Sequence, residues 1–300
     1  MVALMDTSFA TLVTDFFKTQ MSTFSAAPNS ILSSISFLPI AKGKRTIDRI
    51  IQDPETIVHA SKTWDGRRAK KVTLKQNVDT INLGDGLEIP RDEFNADPEG
   101  ARIHVQNTGE IFNNAIEKTT VEGVATIAIA RGINDFPDGT AGTINRPEIA
   151  YNNTTAGDWK TVANFRTDVI ESVVGLTLKR FYGPKLMLAP EIVRTMITEL
   201  ISNTAVPVSS WMTSTIGIPI AFSPFVHEAA TKDDFNCYII DTNKVHLGGS
   251  DILFDAWYEQ KDHAYYWDWD VDIVPLFDPL FDGTEYLKGV ARLDARDFSD

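Results

Sequence analysis

Two strand-like runs with almost no apolar face constrain this chain more than any other feature. Thr56–Trp64 (TIVHASKTW) and Ala69–Lys75 (AKKVTLK) flank Asp65-Gly66-Arg67-Arg68, and Asp-Gly between such runs is a strong hairpin signal. Both arms are polar, so neither offers a face to a core of its own. A lone two-stranded ribbon is marginal in water. The pattern therefore predicts a hairpin that projects from its own domain into solvent or onto a neighbouring molecule, and the neighbour, which would supply the missing contacts, is the favoured reading. The residues expected at that contact are Lys62, Trp64, Asp65, Gly66, Arg67, Arg68, Lys70 and Lys71.

Ahead of the hairpin, residues 4–24 carry Phe9, Leu12, Val13, Phe16 and Phe17 at i, i+3, i+4, i+7 and i+8, with Met21 and Phe24 continuing the stripe. That is an amphipathic helix, which Asp6 or Thr7 can cap. Ala26–Ser36 is rich in Ser, Ala, Asn and Pro and reads as a linker, so the helix is expected to be a detachable arm. A helix packed on its own domain fits the same stripe. The first residues lack a basic n-region and place Asp6 and Asp15 where a secretory signal is apolar, so no export is expected. The longest apolar stretch, Ile31–Ile40, falls short of the roughly 18 residues that span a bilayer, and no membrane segment is expected.

Three helices are predicted next. One runs from Pro98 towards Glu117 with Ile111, Phe112, Ala115 and Ile116 inward; one is capped by Asp158, with Val162, Phe165, Val169, Val173 and Leu176 inward and Gly183-Pro184 as its stop; one begins at Pro190. Between the first two, Val124–Ile129 reads as a short strand, and Gly132–Gly157 as either a functional loop or an unresolved hairpin. Lys185–Leu188 reads as a strand, and from Thr215 onward strands dominate: Thr215–Phe222, Asn236–Ile240, Asp251–Trp257, Ala264–Val274 and Tyr286–Leu293. This order is α+β and lacks the regular strand–helix alternation of a doubly wound enzyme. With 300 residues, 43% hydrophobic, the chain can bury a sizeable core. Cys237 is the only cysteine, so packing replaces disulfides.

The net charge of −13 is unevenly spread. Residues 201–300 hold 6 basic and 17 acidic groups, net −11, whereas residues 42–75 hold 10 basic and 4 acidic, net +6. One copy's basic segment meeting another's acidic one is one reading; two differently solvated surfaces is the other. Free nucleic acid is disfavoured as a partner, because an acidic protein forgoes the long-range attraction that drives phosphate binding.

The sequence carries little recognisable catalytic chemistry. No Gly-x-x-x-x-Gly-Lys-Ser/Thr loop and no Gly-x-Ser-x-Gly elbow occur, and His59, His104, His227, His246 and His263 are never three or four apart. The conspicuous run is Tyr265–Ile273 (YYWDWDVDI). Its three carboxylates do not match a calcium loop, whose sixth and twelfth positions here are Ile273 and Pro279. Period-two alternation fits instead: Trp267, Trp269, Val271 and Ile273 on one face, and Asp268, Asp270 and Asp272 on an outer charged face that favours a basic partner or a cation. No enzyme, cofactor or metal is expected. A carboxylate-rich metal enzyme built on these aspartates is the alternative from a different class.

The order of elements, with several local sequences, resembles the Hong Kong 97-like major capsid proteins, the shell proteins of tailed viruses of bacteria and archaea, to which encapsulin compartments are related. The hairpin is followed by Ile81–Glu93 (INLGDGLEIPRDE), similar to the family's strand into its spine helix, and Pro98–Glu122 is similar to that helix. Gly157-Asp158-Trp159, Tyr182–Glu191 (YGPKLMLAPE) and Ile216–Ile220 (IGIPI) are similar to the family's axial-domain helix, buried strand, proline step and Gly-aliphatic-Pro strand. Asp251–Trp257, Ala264–Val274 and Gly289–Leu293 resemble its closing strands.

The resemblance implies an N-terminal arm (1–50), an extended hairpin loop (51–80), a peripheral domain with the spine helix (81–156), an axial domain (157–235) and strands returning to the periphery (236–300). It implies a virion protein, assembled in the host cytoplasm into pentamers and hexamers of an icosahedral shell enclosing double-stranded DNA. Scaffolding, portal and minor capsid proteins are its expected partners. An encapsulin-type compartment is the alternative within the fold. With the arm starting near Met1, no scaffolding segment ahead of it is expected, scaffolding being separate or absent; the acidic and amide partners of the lysine cross-link that some members make are not matched, so no cross-link is expected.

Overall fold

The computed structural model describes residues 34–43, 46–52, 71–77, 80–129, 136–137, 144–145, 148–154, 157–198, 206–226, 234–250, 253–281 and 286–298. The first part of the chain runs β1 (Ser36–Pro39), β2 (Thr46–Gln52), β3 (Lys71–Asn77), β4 (Ile81–Pro90), α1 (Arg91–Ala96) and α2 (Pro98–Ile129). Then come β5 (Phe136–Pro137), β6 (Ile144–Asn145), β7 (Glu148–Asn153), β8 (Gly157–Asp158), α3 (Val162–Leu178) and β9 (Lys185–Ala189). Short turns α4 (Arg194–Ile197) and α5 (Val208–Trp211) lead to β10 (Ile220–Phe222), β11 (Phe235–Asp241), β12 (Val245–Gly249), β13 (Leu253–Glu259), β14 (Ala264–Phe277), β15 (Leu280–Phe281) and β16 (Tyr286–Asp297). The α+β expectation holds.

Two sheets organise the molecule. In the first, β14 pairs antiparallel along one edge with β4, from Ala264↔Pro90 to Ile273↔Ile81. Its other edge is shared: β13 takes Ala264–Asp270 and β12 takes Ile273–Phe277. β1 then adds in parallel to the outer edge of β12. In the second sheet, β16 pairs antiparallel with β11 and, on its other edge, in parallel with β7 and β8. Beyond β11 lie β9, antiparallel, and β10, parallel to β9.

The second sheet separates two cores. Every residue of β9 and of β11 is buried, so these strands read as near-continuous apolar runs and alternation sorts their side chains between two faces. Leu186, Leu188, Tyr238, Ile240 and Val290 join Phe112 and Ile116 of α2 and Leu87, Ile89, Val271 and Ile273 of the first sheet. Met187, Ala189, Cys237, Ile239, Ala291 and Leu293 face Trp159 and the Phe165, Val169 and Leu176 side of α3. Burial pushes the Cys237 thiol up and the Tyr238 phenol up to about 12, so both stay neutral.

Two buried ionic groups fasten the sheet to its surroundings. Arg296, fully buried, donates from Nη2 to the Asn153 carbonyl at 2.8 Å and sets Nη1 3.3 Å from Asp168 Oδ2, which also accepts from Trp159 Nε1 at 2.7 Å. β7, α3 and the end of β16 are thereby tied at one point. Lys185 and Asp241, on adjacent strands, make the other knot, around the Gly183-Pro184 turn.

Four local expectations are corrected. Val124–Ile129 is the last part of α2, which runs on through Val124, Thr126, Ile127 and Ile129: β-branched residues disfavour a helix only weakly, and Ala125 and Ala128 favour it. Ile111 is exposed; among the described side chains of α2 the buried positions are Ala101, Gly109, Phe112, Ile116, Thr120 and Val121, and Ile111 lies off that stripe. Thr161, not Asp158, caps α3, accepting from the Asn164 amide, and the helix ends at Leu178 ahead of Arg180 at φ 70°. In Thr215–Phe222 only Ile220–Phe222 is strand: Met212–Ile216 forms a π turn that Gly217, at φ 75°, terminates, a left-handed conformation that suits glycine.

Candidate assembly surface

β2 and β3 form a separate antiparallel ribbon, paired from Thr46↔Asn77 to Gln52↔Lys71 and joined to neither large sheet. A projecting ribbon was expected here, but the strand facing Lys71–Lys75 was expected to be Thr56–Trp64. The observed partner is Asp48–Gln52. Asp-Gly is a local signal and does not by itself fix which segment lies opposite Lys71–Lys75. Lys71 lies on β3. Lys62, Trp64, Asp65, Gly66, Arg67, Arg68 and Lys70 lie outside the described residues, as do Phe9, Leu12, Val13, Phe16 and Phe17 of the expected arm.

The acidic run lies on β14 as expected, yet its three carboxylates have three different environments. Asp268 is exposed and stands directly across from Asp255 of β13, also exposed, a like-charge pair in register. Asp270 forms an ion pair with Lys42. Asp272 is buried, at 6% exposure, which corrects its assignment to an outer charged face. Its Oδ1 accepts from Asn82 Nδ2 at 2.9 Å and its Oδ2 from the Gly43 amide at 2.9 Å. Those two bonds, with the Lys42 charge, hold its carboxyl below the usual aspartate range against the opposing effect of burial. Asp272's own amide donates to Ser250 Oγ at 3.0 Å. Among the described residues no three His, Cys, Asp or Glu side chains converge as a metal site.

Sequence reasoning missed the outward side of α3. Ile170, Val174 and Leu178 repeat at i, i+4 and i+8, and Tyr182 follows just beyond the helix; they are exposed by 43, 48, 77 and 75%. Among the exposed residues of this helix (Ala163, Asn164, Thr167, Ile170, Glu171, Val174, Thr177 and Leu178) Glu171 is the one charge. A helix with apolar residues on both sides is normally covered on both. That all-round pattern in residues 162–178 was the available signal.

No protein-family model and no curated protein sequence matches the chain. Solved structures do. The virus-like particle protein from Pyrococcus furiosus aligns with 93% of this chain and 98% of its own, at 10% identity and a TM-score of 0.62. The capsid of Ralstonia phage GP4 covers 89% and 88%, at 9% identity and 0.59; the capsid of the native GTA particle covers 91% and 90%, at 9% and 0.56. Agreement over about nine-tenths of each chain with so little shared sequence is agreement of backbone architecture, and that architecture is the Hong Kong 97-like fold of capsid shell proteins.

Proposed function

We propose that the chain is a shell subunit, a major capsid protein of a virus that self-assembles into pentamers and hexamers around double-stranded DNA. The likeness to shell proteins across nearly the whole chain carries this reading. In it the first sheet with α2 is the peripheral domain and its spine, the second sheet with α3 is the axial domain, and residues 236–300 supply strands to both. Residues 1–50 act as the arm and 51–80 as the hairpin that lies over a neighbour. The exposed Ile170–Tyr182 ridge and the Asp255/Asp268 pair are surfaces that a neighbouring copy completes. Repetition by symmetry multiplies a modest pairwise contact over a shell. The role is structural rather than enzymatic; the partners are other copies, with scaffolding, portal and minor capsid proteins, in particles assembled in the host cytoplasm.

An encapsulin-type compartment is the second reading, favoured by the Pyrococcus neighbour, whose structure is of a virus-like particle. Electron microscopy of purified protein tests both. Closed particles are expected, and their nucleic acid or protein content separates the two; uniform monomers under all conditions would sink the shell reading. Deleting Thr63–Ala69 should abolish particles while leaving the far-ultraviolet circular dichroism nearly unchanged.

A further inference from the structure

Residues 35–43 are seated on the first sheet in a slot built to receive them. β1 pairs with β12 from Ser36↔His246 to Pro39↔Gly249, and the Ile40 amide donates to the Gly249 carbonyl at 2.8 Å. Ile40 packs with Val274 and Leu276 over Gly248, where a Cβ would stand 2.2 Å from Ile40 Cδ1. A Cβ on Gly249 would stand 2.7 Å from Phe37 Cε2. Only glycines leave room for both side chains. At the far end Lys42 pairs with Asp270 and the Gly43 amide donates to Asp272. Beneath this segment β12, β13, β14 and β4 complete their own ladders without it.

We propose that residues 35–43 form a detachable strap, and that Asp272 is its catch. The strap lies between residues 1–33 and the ribbon, so its release frees the base of both together while the sheet remains paired. An edge strand of four residues opens at low cost. Ile35 packs into the main core and Ser36 Oγ bonds His246 Nδ1 at the strap's start; at its end the strap is held by a buried acceptor that takes both donors best when ionised, since a protonated Asp272 turns one oxygen into a donor facing an N–H. The charged groups facing Asp272 are Lys42 from the strap and Asp270 from its own strand; β4 presents the neutral Asn82 amide, and the residue following β12 presents the Ser250 hydroxyl. The inference does not depend on assembly and is tested on the unassembled subunit.

The experiment is amide hydrogen exchange on wild type, Asp272→Asn and Gly248→Ala. Asp272→Asn keeps the shape but replaces one acceptor by a donor, and should speed exchange at Ile40 and Gly43 by about tenfold or more, leaving β4 and β14 amides such as Leu83 and Val271 unchanged. Gly248→Ala fills the Ile40 slot with the carboxylate intact and should give the same pattern. Acidification below the ordinary aspartate range should release the strap in wild type and have little further effect in Asp272→Asn. Unchanged strap protection in both variants would overturn the proposal. Equal loss across the whole sheet in both would overturn it too, by making the strap an inseparable part of the core.

Discussion

Replacing Asp241 by alanine removes the acceptor at the centre of the knot beside the second sheet. Its Oδ2 accepts from the Gly183 amide at 2.9 Å and from Lys185 Nζ at 3.2 Å, and its Oδ1 accepts from the Asn243 amide at 3.1 Å. Asp241 is 1% exposed and Lys185 8%. Truncation takes the carboxylate from a buried ammonium and an acceptor from two part-buried amides. Breaking a buried pair from one side costs about 3–5 kcal/mol. Lys185 keeps the carbonyls of Phe181 and Gly183 as acceptors, which places the loss at the lower end, about 3 kcal/mol. Against a total stability of about 5–15 kcal/mol this is large, and at about 2–4 °C per kcal/mol it lowers the thermal midpoint by roughly 6–12 °C. Calorimetry and urea unfolding of the unassembled subunit measure it, with Lys185→Met/Asp241→Leu as the control. That double variant should recover most of the loss, because an apolar pair of similar volume replaces a buried ion pair at little cost. A loss below about 1 kcal/mol for Asp241→Ala, or no recovery in the double variant, would refute the electrostatic account of this knot.

Gly183→Ala should destabilise the same site, since its Cβ would stand 2.1 Å from Asp241 Oδ1; a thermal melt at the wild-type midpoint would contradict this. Leu178→Glu, on the exposed ridge, should leave folding stability within about 0.5 kcal/mol yet abolish particles seen by light scattering, and normal particles would remove the ridge from the assembly surface. Removing residues 1–24 should give soluble capsomers that assemble poorly, whereas normal shells would show the arm to be dispensable. Because the folded Asp272 carboxyl lies below its unfolded value, its stabilisation is complete above the ordinary aspartate pKa of about 3.9 and is lost as the pH falls through the lower folded value. Urea unfolding should therefore show an acid loss that is smaller in Asp272→Asn than in wild type.

The parts of the fold legible in the sequence are those where one period dominates. Ala264–Val274 alternates over a long run and became β14; Phe165, Val169 and Leu176 repeat at helical spacing and became the inner face of α3. β12 escaped notice, because His246 interrupts its apolar run and Gly248-Gly249 reads as a turn until Phe37 and Ile40 are seen to occupy the space above them. The Asp272 environment was illegible for a related reason. Its partners come from residues 43, 82 and 250, and no spacing rule joins positions so far apart. The ridge on α3 was illegible because the Phe165, Val169 and Leu176 stripe alone accounts for a helix with one covered face, and Ile170, Val174 and Leu178 fall outside it.

The charge pattern gains a sharper meaning from the geometry. The basic segment 42–75 and the acidic C-terminal third meet within one chain where Lys42 pairs with Asp270, so part of the complementarity that the sequence offers to a neighbour is spent internally. That pair is half-exposed and of small worth to stability. Asp255 and Asp268 remain, opposed in register on the exposed face beside Gly84 and Gly86 of β4. Two like charges across a ladder cost energy that a cation laid between them returns, and the glycines beside them present no side chain to block its approach. In the shell reading the ribbon's lysines and arginines belong there. Raising salt screens such exposed charges, so assembly should weaken with ionic strength in wild type and lose most of that dependence in Asp255→Asn/Asp268→Asn. A salt dependence unchanged in the double variant would assign the attraction to another surface.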